Sequence, residues 1–306
     1  DTDPAARERC RLTLPAIREN YAKFKRFYDR QYSLTSQKYT SSNFNDSLAT
    51  ENLDGYVCGS DTVFAVPEFG FDDGFYASYP VMQQRSVAYA ASFGDYDIAT
   101  AHIPELKQRL HNFQAIALRE NDKKPLVESL TDAPVYKVID PTLLLTPEEY
   151  AGIIEEPEIK EPYLLLYSRR GDIRMQDFAE DFARLHGLQI IEISLNAQNA
   201  ARHTMRYDAG VEEFLGLVKN AAVVITNSFH GMIFAVQFKR PFYIFSRKLC
   251  DTKIKEVLDL FGLPERLITT DIPSSLSEIQ WDDVHCRISQ ARKESQHILE
   301  TLIYTI

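Results

Sequence analysis

The sequence predicts an α/β protein of two Rossmann-like domains, each with a parallel sheet whose carboxyl edge faces a cleft. Three observations carry this. Residues 221–226 are a continuous run of small and β-branched apolar residues, which marks a parallel strand covered on both faces. A polar loop, Asn-Ser-Phe-His-Gly, follows, then a short apolar helix opened at Gly231 and a second apolar run, Phe242–Phe245, so the stretch is a βαβ unit. The same alternation recurs along the chain, and 306 residues suit two domains of ordinary size.

Residues 4–32 read as a helix, because Leu12, Leu14, Ile17, Tyr21, Phe24, Phe27 and Tyr28 recur mostly at three- and four-residue steps. This helix is expected to pack on the first domain. The Ser-, Thr- and Asn-rich stretch 33–52 reads as a loop. Beyond it, 56–58, 86–91 and 115–118 read as strands, and 101–111 as a helix with Ile103, Leu106 and Leu110 on one face. Gly59-Ser60-Asp61, Ser92-Phe93-Gly94 and Arg119-Glu120 leave the three strands in turn. Ligands of open parallel sheets sit beyond the carboxyl ends, so these turns are expected to face one cleft. Asp140-Pro141-Thr142 ends the alternation, which places the first domain at 1–145 and a linker at the acidic, proline-punctuated stretch 146–162.

The second domain is placed at 163–275. Its strand at 163–167 is followed by Ser168-Arg169-Arg170-Gly171-Asp172, a helix at 175–186, a strand at 189–193 and a polar loop at 196–207 with His203 and Arg206. A helix at 211–220 precedes the βαβ unit, after which Ser246-Arg247-Lys248 leaves a strand end and 255–261 forms a helix. The last segment, 276–306, with a helix from 282 to 303, is expected to return to the first domain.

Bulk properties exclude several classes. A hydrophobic fraction of 44% and a charged fraction of 25% belong to a soluble globular chain, and a net charge of −10 disfavours wholesale nucleic-acid binding. Cys10, Cys58, Cys250 and Cys286 are far apart, so neither a zinc site nor a disulfide framework is expected and a cytoplasmic setting fits. No run is long and apolar enough to cross a bilayer, and no signal-like segment opens the chain. The phosphate-binding, dinucleotide-binding and zinc-protease motifs are absent, and no metal site is expected.

His230 is the leading catalytic candidate, since an imidazole gives and takes protons near neutrality and the adjacent helix start attracts anions. A structural histidine is the competing reading. Asn227, Ser228, Phe229 and Gly231 share its loop and are expected to contact substrate. Ser228 lacks the flanking glycines of a nucleophile elbow, Thr226 and His230 standing there instead. Arg119 offers a fork of donors for a carboxylate or phosphate, against the alternative of a salt bridge to Glu120 or another surface acid. Asp61 reads as a base for a sugar hydroxyl or as a helix cap, with Ser60 and Ser92 as further substrate contacts. Arg169 and Arg170 bind an anion or are solvated loop charges. Cys58 reads as buried and inert.

Five ordered blocks resemble the polysaccharide pyruvyl transferase family. They are Gly59-Ser60-Asp61-Thr62-Val63-Phe64, residues 88–94, Ala117-Leu118-Arg119-Glu120, residues 140–144, and Ile-Thr-Asn-Ser-Phe-His-Gly-Met-Ile-Phe-Ala-Val with the Lys-Arg-Pro-Phe-Tyr-Ile-Phe that follows. The resemblance spans about 54–267 and implies the two-domain fold of B-type glycosyltransferases. It further implies transfer of pyruvate from phosphoenolpyruvate to a sugar as a cyclic ketal. No cofactor is then needed beyond that donor, and the acceptor is a sugar or lipid-linked oligosaccharide met at the cytoplasmic face of a membrane. A sugar-nucleotide glycosyltransferase and a non-catalytic anion- or sugar-binding protein are the alternatives. Two departures stand out. Members begin with a strand and an Asn/Gly-bearing loop, expected here to precede the given sequence, and an Asn-Ser-Arg-Ile block is replaced by Asp251-Thr252-Lys253-Ile254. Lysine cannot reproduce arginine's bidentate grip.

Overall fold

A computed structural model describes residues 4–40, 42–45, 50–169, 171–194, 197–247, 251–270 and 277–306. Helix α1 (Pro4–Gln31) comes first, then β1 (Tyr56–Cys58), the single turn α2 (Val66–Phe69), β2 (Ser86–Ala91), α3 (Ile103–Leu110), β3 (Phe113–Leu118), α4 (Lys124–Leu130) and β4 (Val135–Lys137). Next are α5 (Pro147–Tyr150), β5 (Tyr163–Tyr167), α6 (Ile173–His186), β6 (Gln189–Ile193), β7 (Thr204–Met205), α7 (Val211–Asn220), β8 (Val223–Thr226), α8 (Phe229–Gln237) and β9 (Phe242–Phe245). Helix α9 (Asp251–Phe261), β10 (Leu267–Ile268) and α10 (Trp281–Ile303) complete the chain.

Two compact units result. Thr35–Leu145, Lys248–Pro264 and Asp282–Ile306 form the first unit, and Asp1–Leu34, Thr146–Arg247 and Glu265–Trp281 form the second.

The first unit holds a parallel sheet in the order β1-β2-β3-β4. Phe64 and Tyr76 stack at 4.6 Å on one of its faces, in a core with Leu106, Leu110 and Ile116. Leu302 of α10 covers the other, over Val87, Ala115 and Ala117. Burial on both faces is why every residue of β2 is buried and why the strand carries no polar alternation. Its order advances one way only, so the reversal that makes a switch point is absent among the described strands here. The carboxyl ends nonetheless share an edge.

The second unit holds a six-stranded parallel sheet in the order β10-β9-β8-β5-β6-β7. Leu164, Leu166, Ile225 and Phe245 meet Met175 and Ala179 of α6 on one face. That helix starts where the Asp172 carboxylate accepts the amides of Arg174 and Met175, and ends at Gly187, whose φ of 65° suits a residue without Cβ.

Three expectations are corrected. Helix α1 packs on the second unit: Asn20 donates to the carbonyl of Ala209 at 2.6 Å, and Lys23 pairs with Asp208 at 2.7 Å and with Glu213. Periodicity marks a helix's apolar face but not its partner, and here polar side chains make the attachment. Helix α9 belongs to the first unit, where the Glu256 carboxylate accepts the Asn121 amide and Asp95 accepts that of Thr252. The stretch taken as a linker is packed: a capping box from Thr146 and Glu149 starts α5, and buried Tyr150 meets Phe234 edge-on at 5.3 Å.

Candidate functional site

The order reversal of the second sheet fixes the point of interest. Strands β5 and β8 are neighbours, yet the chain leaves β5 toward β6 and β8 toward β9, so the loops at their carboxyl ends part and open a crevice. Two side chains tie its base. Thr226 Oγ1 donates to the Tyr167 carbonyl at 2.7 Å, and Asn227 Oδ1 accepts the Arg169 amide at 2.7 Å.

Ser228 caps α8, its Oγ accepting the Gly231 amide at 3.3 Å while its own amide donates to Thr226 Oγ1 at 2.9 Å. The hydroxyl is therefore a cap, buried and engaged, rather than a nucleophile. A Cβ on Gly231 would lie 2.7 Å from Thr226 Oγ1 and 2.9 Å from Tyr167 Cδ1, so glycine is what lets the helix start approach the strand. Because α8 begins at Phe229, His230 is its second residue and stands at the positive end of the helix. Buried Phe229 meets the half-buried imidazole edge-on, with centroids 5.2 Å apart.

In the first unit Arg119 has a different setting from the one expected. Its Nε donates to Glu120 at 2.8 Å, Nη1 to Asp140 at 2.9 Å and Nη2 to Asp61 at 2.9 Å, and the residue is 2% exposed. Burial acts to lower its pKa, but Glu120, Asp140 and Asp61 outweigh this and raise it. Asp140 also accepts the Thr142 hydroxyl at 2.6 Å. Only Asp61 reaches solvent, its side chain 55% exposed. It sits at a φ of 66°, its carbonyl accepting the Ser92 amide at 3.0 Å, and Lys253 Nζ stands 3.9 Å from the carboxylate oxygen that Arg119 holds. One guanidinium facing three carboxylates is a poor anion site. It is a good mount for an oriented carboxylate that accepts a hydroxyl proton.

Neighbouring groups lock this mount. Glu256 of α9 is pushed up, by burial first and then by Glu120 and Asp122, and lies 3.9 Å from Lys137, which burial pushes down. Gly59 has a φ of 139°, and a Cβ there would lie 2.1 Å from the Tyr89 carbonyl oxygen. Glycine alone allows that turn, in which Ser60 is half-buried.

The sequence model of the family described as polysaccharide pyruvyl transferase matches residues 4–248. The chain belongs to the polysaccharide pyruvyl transferase family. No curated protein sequence matches it. The fold is similar to that of UDP-GlcNAc 2-epimerase from Methanocaldococcus jannaschii, with a TM-score of 0.57 at 14% identity over 92% of this chain and 89% of the other. A structure of the enzyme from that organism in complex with UDP-GlcNAc and UDP gives a TM-score of 0.49 at 16% identity over 86% and 79%. The likeness establishes an α/β, parallel-sheet fold of the B-type glycosyltransferase kind.

Within this family member the predicted residues fall into two groups, one per unit. Asn227, Ser228, Phe229, His230 and Gly231 share the start of α8, with exposed Arg169 on the adjoining loop. Arg170 lies outside the described residues. Ser60, Asp61 and Arg119 gather at the other sheet's carboxyl edge. Ser92 is there too but is fully buried, its Oγ accepting the Gly94 amide at 3.0 Å, so it fixes the turn and cannot touch substrate. Cys58 is buried and its thiol pushed up to about 12 by burial, which leaves it inert. His203 is a structural histidine, its Nδ1 2.6 Å from buried Glu192. Sequence reasoning weighed Glu120 as a partner of Arg119, which the structure shows, and named Lys253 only as a departure from the family block; it missed Asp140 and Asp61 as further partners of Arg119. A cavity of about 550 Å³ lined by Phe182, Tyr243 and Trp281 lies at the amino ends of β8 and β9, away from these loops.

Proposed function

We propose that this family member transfers pyruvate from phosphoenolpyruvate onto two hydroxyls of a saccharide as a cyclic ketal, releasing phosphate. The observation that carries it is His230 at the amide end of α8, beside the crevice between β5 and β8. The helix start and Arg169 hold the donor's phosphate and carboxylate. His230 delivers a proton to the methylene carbon, making the methyl group and an electrophilic centre at the adjacent carbon. A sugar hydroxyl adds there and returns a proton to the imidazole of His230. Phosphate departs with its bridging oxygen, and a second hydroxyl closes the ketal while losing its proton to phosphate.

Cytoplasmic location and a lipid-linked acceptor are part of this proposal. Among the described residues no helix is long and apolar enough to cross a membrane. The fold likeness to a UDP-GlcNAc 2-epimerase supplies the second reading, a nucleotide-sugar enzyme. His230→Ala is expected to cut phosphate release from phosphoenolpyruvate by about a hundred- to ten-thousand-fold while the protein melts as wild type does. Near-normal turnover in that variant sinks the assignment of His230.

A further inference from the structure

The chain as a whole carries a net charge of −10, yet between Pro4 and Gln31 eight basic side chains stand against three acidic ones. Helix α1 is attached to its unit by one face. Thr13 and Phe27 are buried there, and Asn20 and Lys23 make the polar anchors to Ala209, Asp208 and Glu213. A second, outward stripe is left uncovered by that attachment. Leu14, Ile17, Tyr21 and Tyr28 follow one another at three-, four- and seven-residue steps, so they share a face, and they are 44%, 38%, 73% and 46% exposed. Exposed Tyr32 continues the stripe, its ring 5.3 Å from that of Tyr28. Arg7, Arg11, Arg18 and Lys25, at four- and seven-residue steps, run alongside on exposed positions.

We infer that this outward face of α1 docks on an anionic membrane surface, laying the helix in the interface plane. An apolar stripe beside a basic row is the pattern of helices that lie at the headgroup boundary. Tyrosine suits that boundary, with an apolar ring and a wet hydroxyl. Intrahelical pairs of Arg11 with Glu8, of Arg26 with Glu19 and of Lys25 with Asp29 offset part of the charge, Lys23 is turned inward to Asp208, and exposed Arg30 pairs with Glu212. The excess that remains is set against an otherwise acidic molecule, so the helix is the positive patch that negative lipid headgroups attract. Docking is independent of the pyruvyl transfer proposal and is measured without turnover.

The test is co-sedimentation of the whole protein with vesicles of phosphatidylglycerol and phosphatidylcholine in equal parts, and with phosphatidylcholine vesicles alone. Binding is expected only to the anionic vesicles and weakens with added salt. Arg7→Gln and Arg18→Gln each lower partitioning by about fivefold. Tyr21→Ser with Tyr28→Ser lowers it by about tenfold. All four positions are at the surface, and a matching thermal midpoint confirms that a variant is folded. If one fails to fold, the comparison of the two vesicle types with wild-type protein decides. Absence of binding to anionic vesicles, equal binding to both types, or folded variants that bind undiminished overturns the inference. So does a concentration-dependent dimer abolished by the tyrosine substitutions, which makes the occupant a second copy of this chain.

Discussion

Replacing Arg119 with Met separates an arginine that builds the site from one that waits for a substrate. The guanidinium donates to Glu120, Asp140 and Asp61, of which Glu120 and Asp140 are 6% and 2% exposed. Asp61 rehydrates when released, so it adds little to the loss. The other two are stranded, and removing one partner of a buried ion pair costs about 3–5 kcal/mol because the remaining charge stays buried. For a unit of this size that lowers the melting midpoint by roughly 6–20 °C, at about 2–4 °C per kcal/mol. The stranded carboxylates hold protons more tightly in the folded variant than in the unfolded chain. Their destabilising effect is therefore complete at neutral pH and fades as pH falls through the raised values, so the gap to wild type narrows on acidification. Urea unfolding at a series of pH values measures this, and adding Glu120→Gln and Asp140→Asn to Arg119→Met should recover much of the loss. A variant within about 1 kcal/mol of wild type, or a gap that widens toward acid, refutes the assignment of Arg119 to the framework.

Two further outcomes follow from the same geometry. Gly231→Ala forces the start of α8 away from Thr226 and Tyr167, costing about 1–3 kcal/mol by denaturant unfolding and weakening anion binding at the loop, which titration calorimetry with inorganic phosphate reads. Attachment of α1 to the second unit is acid-sensitive. Burial acts to raise the Asp208 carboxyl, but Lys23 and Arg206 outweigh it and hold it below its usual value. Its contribution is thus present above the ordinary aspartate value of about 3.9 and lost as pH falls through the lowered one. Limited proteolysis should cleave α1 earlier under those conditions, and Lys23→Met should abolish the pH step.

Much of the fold was legible because strands covered on both faces are written as unbroken apolar runs, as in β2, β5 and β8. Strands β4 and β10 were not, since Val135–Lys137 is only half-buried and Leu267–Ile268 is two residues long. Neither leaves a period to detect. The loop from Asn227 to Gly231 was legible because a parallel strand, a polar loop and a helix start coincide there. Arg119 was legible as an arginine at a strand end with Glu120 as a pairing partner, whereas Asp140 and Asp61 were not. Its partners come from positions one, 21 and 58 residues away, brought together only when β1, β3 and the turn at Asp140 share a sheet edge. The placement of α1 was illegible for a related reason. Its stripe at Leu14, Ile17 and Tyr21 looks like core, while the attachment runs through Asn20 and Lys23.

The central claim is that the crevice at β5 and β8 holds phosphoenolpyruvate. The most direct measurement is the thermal midpoint of the protein with phosphoenolpyruvate, with UDP-GlcNAc and with buffer alone. A ligand bound only by the folded state at a hundred times its Kd adds about 2.7 kcal/mol. A rise with phosphoenolpyruvate alone, diminished in Gly231→Ala, is the predicted result. A rise with UDP-GlcNAc alone contradicts it and assigns the crevice to a nucleotide sugar.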